Sequence, residues 1–299
     1  MIPKDGRGYC GLKKNVAGKL VHLAGTGDGG LLDWYYDPLP TNCVGDWVCA
    51  GGTGAGYPRY SYRKSGPEYG YKNLAVFYKS CTFDCLCCQN WHYRLGPKEL
   101  GPRMSALELA SKVDANTSCI CYFGGDPASQ ILHALKTSEL AVNAANGRIL
   151  RICWETNGST GRPFLKKMAK LSLESGGCIK FDLKAWDDDL HLALTGASNR
   201  QTLSNFEWLA GLIEKRPEPP FLIASTLIVP GYVEAEEVSS IARFISKLDP
   251  AIPYSILVFS PDYMMDDMPG FTKKQAAACF ETARECLENM RMGNIHLLS

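Results

Sequence analysis

Three cysteines, Cys81, Cys85 and Cys88, lie in the stretch Cys81-Thr82-Phe83-Asp84-Cys85-Leu86-Cys87-Cys88, directly after the apolar run Leu74-Ala75-Val76-Phe77-Tyr78. Thiolates so closely spaced at the tip of a strand can wrap one face of a cubane iron–sulfur cluster. A four-iron cubane has four corners, so three protein ligands leave one iron able to take a substrate. Tetrahedral zinc is the competing guest, but structural zinc draws four ligands from two short pairs. Here only Cys87 could complete such a set, ligating beside its own neighbour Cys88. A disulfide framework is disfavoured, because 13 cysteines, an odd count, are dispersed over 299 residues and Met1-Ile2-Pro3-Lys4-Asp5 does not resemble a signal peptide. Inert packing of the thiols is the remaining reading.

The chain around these residues has ordinary globular composition, with 45% hydrophobic and 21% charged residues. Lysine and arginine number 32 against 31 acidic residues, a net charge of +1. That balance gives no electrostatic footprint for nucleic acid. No apolar stretch approaches the roughly 20 residues a membrane span requires, and no lipidation signal is visible. A soluble, cytoplasmic protein without nucleic-acid or membrane partners is expected.

The elements that must position the cysteines begin at Asn73. Residues 1–72 are broken by Gly25-Thr26-Gly27-Asp28-Gly29-Gly30 and Gly51-Gly52-Thr53-Gly54-Ala55-Gly56, and read as an irregular Gly/Tyr-rich N-terminal module. Neither run carries the Gly-Lys-Ser/Thr ending of a phosphate loop. From residue 73 to 299 short β-rich runs alternate with helix-length amphipathic segments, the pattern of parallel β/α units. Strands are predicted at 73–78, 118–123, 148–153, 177–183, 221–229 and 253–259, and helices near 105–116, 128–146, 160–175, 199–215, 234–247 and 272–291. Each chemistry-bearing string then follows a strand, at the edge where parallel β/α architectures build their sites.

Those strings are the cysteine motif with Gln89-Asn90-Trp91, then Phe123-Gly124-Gly125-Asp126-Pro127, Glu155-Thr156-Asn157-Gly158, Asp182-Leu183-Lys184 and Val229-Pro230-Gly231. In order and spacing, from residue 73 to the end, they resemble the radical S-adenosylmethionine (SAM) superfamily, specifically the branch similar to pyruvate formate-lyase activating enzyme. The resemblance implies a partial (β/α)6 TIM-like barrel, open on one side. It also implies a [4Fe-4S] cluster on Cys81, Cys85 and Cys88, with SAM chelating the open iron and undergoing reductive cleavage to a 5′-deoxyadenosyl radical. Gly124, Gly125, Asp126 and Pro127 would form the turn that meets the methionine amino group, the glycines permitting close approach. Thr156 and Asn157 offer hydroxyl and amide groups to the ribose or carboxylate. Asp182 and Lys184 alternate on one face after Lys180, a placement that ligand contact explains better than packing. Val229-Pro230-Gly231 matches the element that flanks the adenosine. The position before the third ligand is usually aromatic; here it is Cys87, and Trp91 or Phe83 could replace the missing ring.

The segment from Ile2 to Asn15 is similar to part of an N-terminal segment of radical SAM proteins associated with the AMMECR and Memo families. Within the N-terminal module, Cys10, Cys43 and Cys49, placed in a glycine-rich region, are candidates for a second metal or cluster. Cys119 with Cys121, and Cys279 with Cys286, have the spacings of core positions. His92 and the run Asp262-Tyr263-Met264-Met265-Asp266-Asp267 are candidates for the substrate side. By resemblance, the leading function is hydrogen abstraction from a glycine of a partner enzyme, with an electron donor such as ferredoxin or flavodoxin. Radical modification of another protein or a small molecule, and a non-catalytic iron–sulfur carrier or zinc protein, are the alternatives.

Overall fold

The structure, a computed structural model, describes residues 2–24, 27–95 and 103–299. Gly25 and Thr26, within the first glycine run, lie outside them. A short hairpin, β1 (Lys13–Val16) and β2 (Lys19–His22), precedes β3 (Leu32–Pro38). Then come β4 (Lys72–Tyr78), β5 (Thr117–Phe123), β6 (Arg151–Thr156), β7 (Ile179–Asp182), β8 (Leu222–Ile228), β9 (Tyr254–Val258) and β10 (Met290–Gly293). Strands β3 to β10 form one 8-stranded sheet in sequential order. Only the β3–β4 pairing is antiparallel; the others are parallel.

Successive strand residues point to opposite faces, and the two faces of this sheet have different chemistry. Leu74, Val76, Tyr78, Ile120, Tyr122, Ile152, Trp154, Ile179 and Phe181 belong to the main apolar core. Helices α3 (Ile131–Ala145), α4 (Arg162–Ser175), α6 (Arg200–Ala210), α7 (Ala235–Leu248) and α8 (Lys273–Arg284) supply the rest of that core, together with short α2 (Ala106–Ala110). On the other, inner face, Cys121, Cys153, Cys178 and Ile223 form a separate small cluster with Val48 and Phe123.

The N-terminal region covers this inner face. Short α1 (Ala50–Thr53) and the loop before it lie against the strands, and a Cβ on Gly45 would come within 2.7 Å of Ile223 and 3.2 Å of Lys180. The Trp47 indole donates to Ser255 Oγ at 3.1 Å, and that hydroxyl donates to the Val44 carbonyl at 3.0 Å. Arg151 on β6 meets the fully buried Glu68 with Nη2 2.7 Å from Oε2, and also donates to the Tyr60 carbonyl and to Ser118. Buried charges are tolerated only when paired and bonded in this way. Residues 1–72, expected to be irregular, thus also contribute a hairpin and the antiparallel edge strand β3, whose Asp37 pairs with Asn73 of β4.

All six predicted strands are present, with one displaced. Strand β6 runs to Thr156 rather than ending at Cys153, because Arg148 turns back to the carbonyls of Asp114 and Ala115 while the Ile149 amide donates to the Tyr62 hydroxyl. The predicted helix 272–291 ends at Arg284, and Met290–Gly293 joins the sheet beside β9. Helix α5 (Asp188–Thr195) was not anticipated: Asp187 caps it by accepting from the Leu190 amide, and two further aspartates occupy its first turn.

Candidate functional site

The cysteine loop leaves β4 at Tyr78 and is tied down at both ends. The Asp126 amide donates to the Ser80 carbonyl at 2.8 Å, while the amides of Asp84 and Leu86 donate to the carbonyls of Thr195 and Leu194 at the end of α5. Phe77, Phe83, Tyr93 and Ala197 pack around Cys81, Cys85 and Cys88. The helix that the sequence did not reveal is therefore an anchor of the ligand loop.

After β5, Gly124 and Gly125 both have positive φ, 61° and 50°. A side chain on Gly124 would collide with the Phe77 ring, and one on Gly125 with the carbonyl oxygens of Tyr78 and Ser80. Glycine is required here by close approach as well as by backbone angle. Asp126 is 2% exposed and accepts from the amides of Ala128 and Asn157, each at 2.7 Å, and from the Thr156 hydroxyl at 3.0 Å. It binds the ends of β5 and β6 together. Burial raises its carboxyl to about 6 despite these donors.

The Asn157 amide group donates to Thr82 Oγ1 at 2.8 Å and lies 3.6 Å from Cys81 Sγ, so the turn after β6 touches the cysteine loop directly. On β7 and just beyond it, Lys184 Nζ stands 2.7 Å from Asp182 Oδ2, and the Ser225 hydroxyl donates to the other carboxylate oxygen at 2.6 Å. Burial works against the charge on Lys184, but Asp182 and Cys85 outweigh it and hold the ammonium above its usual range.

These elements enclose a cavity of about 220 Å³. Cys81, Cys85, Cys88, Gly124, Gly125, Asp126, Thr156, Asn157, Asp182 and Lys184 all line it, whereas Pro127 of the Gly124–Pro127 turn does not. Pro127 is buried and opens a 3-10 turn, for which its fixed φ suits it. Sequence reasoning gave no role to Val44, Gln89, Asn90, Tyr93, Phe123, Glu155, Leu227 and Leu257, which line it too, as does Cys87. Glu155, Phe123, Gln89 and Asn90 stood within the quoted strings without being assigned a role, whereas Val44 arrives from the N-terminal region and carried no local signal. Phe83 lines the cavity; Trp91 does not. Trp91 instead stacks on His92 and Tyr263 and donates to Asp262, which leaves His92 and the Asp262–Asp267 run outside the lining. Val229-Pro230-Gly231 is likewise outside it, within a turn closed by paired Val229 and Val233.

Donor chemistry and space decide which guest fits. Among the described residues no three His, Cys, Asp or Glu side chains are gathered at the distances of a single metal ion. Cys81, Cys85 and Cys88 line a cavity far larger than one ion, and burial raises Cys85 to about 12 and Cys81 well above the usual thiol value. Soft ligands in a dry pocket ionise when a bound metal supplies the missing positive charge. The set fits an iron–sulfur cluster with a second guest beside it. The expected auxiliary set does not assemble: Cys10 packs with Leu12, Ala24 and Leu31, while Cys43 and Cys49 line a different cavity on the inner face.

The family profile of the Radical SAM superfamily matches residues 75–245. A Methanocaldococcus jannaschii protein named for glycyl-radical enzyme activation is 34% identical over 100 residues, covering 33% of this chain and 36% of that protein. The isethionate sulfite-lyase activating enzyme of Desulfovibrio desulfuricans is 32% identical over 138 residues, covering 46% of this chain and 40% of that enzyme. The matched stretches thus span less than half the length of either relative. A radical SAM methyltransferase from Sphaerobacter thermophilus shares the fold with a TM-score of 0.52 at 14% identity, over 74% of this chain and 66% of that one. Among the described residues no helix is long and apolar enough to cross a membrane.

Proposed function

The chain belongs to the radical SAM superfamily, and we propose that Cys81, Cys85 and Cys88 hold a [4Fe-4S] cluster whose fourth iron takes S-adenosylmethionine. When bound, this pair supplies one-electron cleavage of the sulfonium, giving methionine and a 5′-deoxyadenosyl radical that abstracts hydrogen. The observation that carries the reading is the convergence on one cavity of the cysteine loop with the strand-end turns after β5, β6 and β7.

The chain's own residues orient the guest and exclude water. Gly124 and Gly125 bring backbone within reach of the methionine amino group, and Asp126 fixes that turn through its bonds to Thr156 and Asn157. Thr156 and Asn157 offer polar atoms to the ribose or carboxylate. Asp182 and Lys184 contribute a paired charge at the rim, held by Ser225. Phe83 and Phe123 supply aromatic walls of the cavity, which Cys87 also lines without a ring. Pro127 shapes the turn without touching the guest.

The substrate is a glycine of a partner glycyl-radical enzyme, in keeping with the name of the Methanocaldococcus jannaschii relative and with that of the other as an activating enzyme, which makes the chain similar in activity to pyruvate formate-lyase activating enzyme. Its electron comes from a low-potential carrier such as ferredoxin or flavodoxin, in a compartment that keeps thiols reduced. The test is anaerobic reconstitution with iron and sulfide, then reduction with SAM present. The wild type is expected to form 5′-deoxyadenosine, and Cys81→Ala, Cys85→Ala and Cys88→Ala to form none. A cluster-loaded wild type that yields no 5′-deoxyadenosine would overturn the reading.

A further inference from the structure

Below the cofactor cavity, Cys43, Cys49, Cys119, Cys121, Cys153 and Cys178 line a second cavity of about 30 Å³. A cavity of this size holds about one water molecule. Inner faces of such barrels are ordinarily filled by branched aliphatic residues, yet these thiols share the space with the buried cations Lys180 and Arg151. Lys180 Nζ lies 2.9 Å from Cys43 Sγ, 3.2 Å from Cys121 Sγ and 2.9 Å from Glu155 Oε1. An ammonium already stands where a metal cation would, and among the described residues no three suitable side chains meet at single-ion distances. The chemistry left to this cavity is that of sulfur with sulfur.

Cys153 and Cys178 carry it. Their sulfurs are 4.0 Å apart, with the Cys178 thiol donating to Cys153. Cys153 lies on β6 and Cys178 immediately precedes β7, beside the paired Trp154 and Ile179, and the Trp154 amide donates to the Cys178 carbonyl at 3.0 Å. Adjacent strands lie about 4.8 Å apart, inside the roughly 4.4–6.8 Å Cα window of a disulfide. The hydrogen bond from Cys178 lowers the Cys153 thiol, burial opposes it, and Lys180 and Arg151 add to the lowering. Cys43 and Cys49, which line the cavity from the N-terminal side, are partly exposed.

We propose that Cys153 and Cys178 form a peroxide-accepting dithiol, a modification site on the inner face beneath the cofactor cavity. The Cys153 thiolate attacks the O–O bond of hydrogen peroxide and expels hydroxide, which takes a proton to become water, leaving a sulfenic acid. The Cys178 thiol then attacks that sulfur and a second water departs. Two electrons pass from the sulfurs to the peroxide, and the products are one disulfide and two waters. The cavity admits an oxidant near the size of water and excludes a tripeptide disulfide.

The test uses the full chain with Cys81, Cys85 and Cys88 changed to alanine, so that no cluster iron consumes peroxide, alongside the cluster-loaded wild type. Each is treated anaerobically with hydrogen peroxide, alkylated in denaturant and mapped by mass spectrometry. Both are expected to give a Cys153–Cys178 disulfide, and glutathione disulfide to give none. Cys178→Ser leaves a trappable sulfenic acid on Cys153, and Cys153→Ser slows peroxide consumption about tenfold or more, since the thiolate is the nucleophile. Lys180→Met slows the reaction without changing which sulfurs join. Recovery of both cysteines alkylated while Cys10 and Cys286 oxidise, or a stoichiometric metal on these thiols in the cluster-free chain, would overturn the proposal. Because the cluster-free chain makes no 5′-deoxyadenosine, either outcome is read independently of the SAM chemistry.

Discussion

Two groups of cysteines face the same interior and arrive there differently. Cys81, Cys85 and Cys88 sit within one loop, so their relation is written in local spacing; Cys43, Cys49, Cys119, Cys121, Cys153 and Cys178 come from the N-terminal region and three neighbouring strand segments. The loop is held by α5 and by the turn after β5, and presents its sulfurs to a roomy cavity. The strand cysteines are held by sheet register, with Cys121 opposite Cys153, and close on a space of water size. Ligand geometry comes from a short motif, whereas a thiol nest comes from topology. Lys180 joins the two regions, since its partner Glu155 also lines the upper cavity.

The contrast can be broken most forcefully at the lower region's anchor. Arg151→Met leaves the buried Glu68 carboxylate unpaired, and the loss of one partner of such a pair costs about 3–5 kcal/mol. Urea denaturation of the cluster-free protein should show a destabilisation of that size, while the protein that stays folded still loads iron on the cysteine loop. An effect below about 1 kcal/mol would mean that the N-terminal region is not held through this pair.

The upper region's anchor titrates. Asp126 is raised from 3.8 to about 6 by burial, so its proton is held more tightly in the folded chain than in the unfolded one. The associated stability is fully present below pH 3.8 and is lost as pH rises through about 6. Relative to Asp126→Asn, the wild type should lose up to about 3 kcal/mol across that window, at about 1.4 kcal/mol per unit. A pH-independent difference between the two denaturation curves would contradict the assignment.

A smaller effect sharpens the boundary of the site. Asp262 accepts from the Trp91 indole outside the cavity lining, so Asp262→Asn should cost about 1 kcal/mol of stability and leave SAM affinity unchanged. A clear loss of affinity by calorimetry would move this loop into the binding site.

The same division explains what was legible in the sequence. The parallel β/α order could be read, and so could the strings that converge on one cavity after β4, β5, β6 and β7, because strand-end loops carry their chemistry in contiguous residues. Strand β10 was hidden inside a helix-like pattern, and α5 lay in the Asp187-Asp188-Asp189 segment, whose capping signal went unused. Val44 and the cysteine nest were illegible for a physical reason: they are brought together by sheet register and by chain returning from more than 70 residues away, as in the 137-residue separation of Cys43 and Lys180. Cys119 and Cys121 were correctly placed on one strand face, but alternation does not say what stands opposite.

The central claim is that one iron of the cluster on the Cys81 loop is left for S-adenosylmethionine. Electron paramagnetic resonance of the reduced, reconstituted protein tests it directly. Addition of S-adenosylmethionine should change the cluster signal in the wild type, whereas a signal of a fully loaded cluster that stays the same at saturating S-adenosylmethionine would contradict the account.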